Sequence, residues 1–119
     1  MKAAEIEKYR HDLEVVRDTA TQVLKDFGIA GVEPHFSGSV ETAYEELFDQ
    51  LKPALKAFYD NSPEQFFGLL YRIDVDENQI NKLGNKLNKS SYFDDLSALI
   101  LEREFIKVLY RKLYRHHNG

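Results

Sequence analysis

The sequence predicts an all-α fold, and three observations carry that prediction. Apolar residues recur at helical spacing over most of the chain. Capping residues punctuate it at helix-length intervals. No run alternates apolar and polar residues as a half-buried strand does, and 32–36 is the one stretch where a short strand would fit. The expected architecture is an antiparallel bundle of about five helices, three long and two short, built as a single helical domain over residues 1–119.

The first helix is read from Ile6, Tyr9, Leu13, Val16, Ala20, Val23 and Phe27, which follow one another at gaps of three and four. That is a heptad seam, expected to run unbroken from Ala3 to Phe27, with Gly28 as the C-terminal cap. Ile6, Tyr9, Leu13, Val16 and Val23 make the seam a candidate for self-association, and packing on the chain's own last helix is the alternative. The glycine-bearing segment from Gly28 to Ser39 then reads as the one long loop. Its Pro34-His35-Phe36-Ser37-Gly38-Ser39 end leads into the second helix, where Ser39 is the expected N-cap and where free amides suit an anion. Val40, Tyr44, Leu47, Leu51, Ala54 and Phe58 mark that helix, with Pro53 expected to kink it or divide it in two.

Ser62-Pro63-Glu64-Gln65 is the sharpest start signal, a capping box with proline at the first helical position. The short helix after it is apolar almost all round, through Phe66, Phe67, Leu69, Leu70, Tyr71 and Ile73, and is expected to lie inside the fold. Asp76 and Gln79 cap a fourth helix over about Glu77 to Leu87. Asp74, Asp76 and Asn78 match the start of a calcium loop, but Gln79 and Asn85 stand where its glycine and bidentate glutamate are needed, so capping is the reading. Ser90 or Ser91 caps the last helix, from Tyr92 to about Arg115, whose apolar middle makes it central to the bundle.

Composition narrows function by elimination. The 119 residues carry a net charge of −4 and no cysteine, which removes thiolate chemistry, disulfides and Cys-bound metals, and gives no global field for nucleic acid or anionic membrane. The N-terminus has charges where a signal peptide is apolar, and a cytoplasmic location is the expectation. The four histidines, His11, His35, His116 and His117, form no Glu-x-x-His pair of the kind that builds metal sites in bundles, and although His11 and Glu14 are spaced to share a helical face, their charged neighbours mark that face as wet. No catalytic residue, cofactor or metal is assigned, and the chain is expected not to be an enzyme.

Three functional readings follow. The first is a protein that binds another protein, with a homodimer as one form. The second is a nucleic-acid-associated module, using Lys82, Lys86 and Lys89 with Arg111, Lys112 and Arg115 as its basic face. The third is an anion or small-molecule pocket formed by Arg72, Arg103 and Tyr110. Arg103 lies in the Glu102-Arg103-Glu104 interruption of the most apolar helix, on the line of Leu96, Leu99, Ile106, Tyr110 and Leu113. The competing reading is that both arginine stems lie along the core while their heads reach water or an acid.

Overall fold

The N-terminal seam breaks where its polar flank turns inward. The computed structural model describes residues 3–84 and 91–118, with side chains to residue 115, and it divides the expected first helix into α1 (Ala3–Tyr9) and α2 (Leu13–Asp26). Asp12 causes the break. Its backbone is extended, and its carboxylate accepts the amides of Glu14 and Val15 at 3.0 and 3.3 Å. Such an N-cap contributes about 1 kcal/mol and competes directly with a continuing helix.

The remaining helices are α3 (Ala43–Asn61), α4 (Pro63–Arg72), α5 (Glu77–Leu83) and α6 (Tyr92–Asn118), so the described residues form six helices, one more than expected. No strand occurs among the described residues, and 32–36 is loop. The fold is an all-α helical bundle. As expected, α2 closes on Gly28, whose φ of +64° lets the Ile29 amide donate back to the Leu24 carbonyl at 2.9 Å.

Ser39 does not start α3, which begins four residues later, because the loop folds back on Glu46 first. The Glu46 carboxylate accepts the Ser37 amide at 2.7 Å and the hydroxyls of Ser37 and Thr42 at 3.1 and 2.8 Å. Gly38, at φ +98°, makes the turn that brings Ser37 there. The free amide expected to meet a serine cap or a bound anion thus meets the chain's own carboxylate. These bonds hold the Glu46 carboxyl below the usual glutamate range, the Ser37 amide contributing most. α3 runs unbroken through the exposed Pro53, so the two-helix alternative is not realised.

Pro63 starts α4 as expected, but the Ser62 hydroxyl makes no capping bond, leaving the pre-set proline dihedral to fix the start. α4 is amphipathic instead of apolar all round: Phe66, Leu69 and Leu70 are buried, while Tyr71 is 63% exposed and donates to Glu77 at 3.0 Å. Asp74 reverses the chain at φ +63°, a region that non-glycine residues rarely occupy. Asp76 then caps α5 by accepting the Asn78 amide at 2.8 Å. The expected extension of α5 to Leu87 and the cap at Ser90 lie outside the described residues, whereas the Ser91 backbone carbonyl accepts the Asp95 amide, in the first turn of α6, at 2.9 Å.

α6 packs against α2, α3 and α5, and α3 packs against α2 and α4. At about 1.5 Å per residue, α6 is about 40 Å long, close to the 43 Å long axis of the molecule. It is the axis around which the bundle forms. Its buried line is Leu96, Ile100, Leu101, Glu104, Phe105, Val108 and Leu109. Leu96 on the line expected inside is buried, but Leu99, Arg103, Ile106 and Leu113 are half-exposed and Tyr110 is exposed, so that line runs out to the edge and Glu104, not Arg103, is the fully buried ionisable group.

Candidate functional site

The far half of α6 carries the most exposed aromatic surface of the bundle. Tyr110 and Tyr114 are 50% and 70% exposed, one turn apart on a helix and therefore on one face. Ile106 and Leu113 border them, half-buried against the smaller of two cores, which Val15, Phe105, Val108 and Leu109 form. Beside this face runs a groove of about 530 Å³ between the end of α1, the start of α2 and the end of α6. Tyr9, Val15, Leu109 and Leu113 line its apolar part. Asp12 and Glu14 stand on one wall, and Lys112 and Arg115 on the other.

A ladder of polar contacts ties α2 to α6 behind that groove. Lys112 reaches Asp18 at 2.6 Å and Glu14 at 2.9 Å, and these two carboxylates raise its pKa. Arg111 donates to Gln22 at 2.7 Å. Lys107 lies 3.3 Å from both Asp26 and Glu104. Burial pushes the Glu104 carboxyl up to about 7, with the neighbouring Asp26 adding to the rise and Lys107 opposing it. Asp26 moves down: burial works against its charge, but the neighbouring Glu104 carboxyl, the Lys107 ammonium and the Gln22 amide outweigh it.

The break after α1 places Arg10 at the centre of a clamp that the sequence did not reveal. Its guanidinium lies 4.5 Å from the Tyr44 ring centroid and 5.1 Å from that of Phe105. It also donates to Glu7 at 2.9 Å and to Glu102. Burial opposes the charge, yet the bond to Glu102 and the nearby Tyr44 hold Arg10 above the ordinary arginine range. Burial in turn pushes the Tyr44 hydroxyl up to about 12, against the pull of Arg10. The available signal was Asp12, a strong capping residue inside a supposed continuous seam.

The anion-pocket residues do not come together. Arg72 is exposed and lines a 210 Å³ cleft with Asp26, Leu69, Ile73 and Lys107. Arg103 donates to the Ile73 carbonyl at 3.1 Å and lies 3.7 Å from Asp74, satisfied by its own chain as the competing reading held. Tyr110 lies about two turns further along α6, outside that cleft. The basic face is divided as well. Lys82 belongs to α5, packed on the larger core, whereas Arg111, Lys112 and Arg115 stand by the smaller one, the first two already engaged by α2. Lys86 and Lys89 lie outside the described residues.

Of the seam, Val16 and Val23 are fully buried in the larger core with Leu13 packed against it, while Ile6 and Tyr9 pack on the smaller one. His11 is exposed, its Nδ1 3.2 Å from the Val40 carbonyl. His35 contributes its backbone, exchanging bonds of 2.7 Å with the Gln50 side chain in both directions. The side chains of His116 and His117 lie outside the described residues. Among the described residues, no three His, Cys, Asp or Glu side chains converge to hold a metal ion, and no helix is long and apolar enough to cross a membrane. No family model, curated protein or solved structure matches this chain.

Proposed function

We propose that this chain is a non-enzymatic helical module that works by binding protein, and that its partner is a second copy of itself seated on the outer face of α6. The observation that carries this reading is the pair Tyr110 and Tyr114, half or more exposed beside an apolar groove with charged walls. Tyrosine and arginine around an apolar floor are the composition of interface centres.

The charge pattern favours a second copy over an unrelated chain. A two-fold interface must be self-complementary. The groove beside the two tyrosines has an acidic wall, Asp12 and Glu14, and a basic one, Lys112 and Arg115, so two copies related by a two-fold axis set acidic walls against basic ones. The open part of α6 is its last two turns, from Tyr110 to Arg115, which with the groove beside them fall well short of a standard interface. The dimer is accordingly expected to be dissociable.

Sedimentation equilibrium from about 1 to about 300 μM tests this, the range in which an association worth about 6–8 kcal/mol is seen. The apparent mass is expected to climb above 13.9 kDa with concentration, and the Y110S/Y114S variant to remain monomeric with an unchanged thermal melt. A monomer at every concentration would overturn the self-association reading.

A further inference from the structure

The groups of the α2–α6 ladder that the proposed interface does not use point to a second property. We propose that Glu104 and Asp26 hold one proton between them, and that its loss on passing from acidic to alkaline solution loosens the C-terminal end of α2 from α6. The geometry begins with burial. The Glu104 side chain is 0% exposed, at the centre of the helix on which the bundle is built, and one of its oxygens finds no hydrogen-bond partner among the described residues. An ionised carboxylate in that position would be a buried charge with half its acceptors unused. A protonated carboxyl is a donor, and the adjacent Asp26 is the acceptor that suits it.

The charged groups facing this pair set the direction. On α6, Lys107 bridges both carboxyls at 3.3 Å, while Arg103 is turned away to Ile73 and Asp74. From α2 come Asp26 and the Gln22 amide that donates to it at 2.8 Å. From α4, Arg72 reaches the cleft that Asp26 and Lys107 line. One lysine inside, with one arginine at the mouth, balances a single carboxylate well. Two carboxylates side by side repel, and the weaker of the two attachments is the last turn of α2, where the chain leaves the helix.

The pH window follows from linkage. The Glu104 carboxyl is raised from the ordinary 4.5 to about 7 in the folded chain, so the folded state binds the proton more tightly than the unfolded one. Its contribution to stability is therefore complete below the unfolded value and is lost as pH rises from 4.5 to about 7. Asp26 is lowered, so its contribution is lost only on the acid side. The two windows do not overlap.

The experiment compares the melting temperature of the native chain and Glu104→Gln between about pH 5 and about pH 8. The amide of that variant keeps a hydrogen-bond donor in place and removes the titration. The wild type is expected to lose about 5 °C relative to the variant across that interval, with faster hydrogen exchange at the end of α2 on the alkaline side. Parallel melting curves would overturn the proposal. A second measurement decides the matter if the variant fails to fold: the Glu104 carboxyl carbon in the native chain, followed by carbon-13 NMR, is expected to titrate close to neutrality. A midpoint in the ordinary glutamate range would overturn the proposal equally.

Discussion

The two ends of the bundle are held together by different physics. At one end Phe27, Phe58, Tyr59, Phe66, Phe67 and Phe93 form a connected cluster with ring centroids 5.4 to 6.1 Å apart. At the other, Val15, Phe105, Val108 and Leu109 make up the buried core, and the surrounding order comes from the Arg10 clamp and the contacts of Arg111 and Lys112. Burial of aromatic surface is insensitive to salt and pH. Ion pairs near the surface weaken with both. Local opening is therefore expected to begin at the α1 end, which is also the end where the proposed partner docks.

The largest test of this contrast removes the centre of the aromatic cluster. Phe66 touches Phe27, Phe58, Tyr59, Phe67 and Phe93 and is 0% exposed, so Phe66→Ala is expected to cost about 4 kcal/mol in urea denaturation, by an equal amount at low and high salt. A much smaller loss, or a salt-dependent one, would erase the distinction. Next comes Arg10→Met, which keeps the packing against Tyr44 and Phe105 but removes the charge. It is expected to cost about 1–2 kcal/mol at low salt, with the deficit shrinking in about 1 M salt as screening weakens the wild-type pairs. The smallest change sharpens the apolar end. Ser97 is buried with a hydroxyl that has no hydrogen-bond partner among the described residues, and Ser97→Ala is expected to gain about 1 kcal/mol. A loss of stability on that substitution would mean that the hydroxyl is needed inside the core.

The aromatic end was also the more legible one in the sequence. Pro63, Gly28 and Asp76 set helix boundaries through their own backbone chemistry, and each acts where its local sequence places it. The other end depends on pairings between distant residues, which periodicity does not encode. Arg10 looks like an ordinary polar flank until Glu102, Tyr44 and Phe105 are brought beside it. The Glu102-Arg103-Glu104 interruption was visible, but which of its residues turns inward depends on the angle at which α2 crosses, and a shift of one residue on a helix moves a side chain by about 100°. The same displacement moved Tyr110 from an expected interior line to the surface. Ser39 failed as a cap for a related reason: Glu46, one turn into α3, competes for the same loop.

The loop before α3 has a practical consequence. Gln50 grips the backbone of His35 with both ends of its amide, and Glu46 grips Ser37, so the segment is fastened at its far end while Ala30 and Gly31 stay exposed just after α2 closes. Extra chain added between those two residues lengthens a connection already closed on both sides, at a cost that grows only with the logarithm of its length. That junction is the place to splice in a reporter peptide or a fluorescent domain while leaving both helices, and the face that α6 presents, undisturbed.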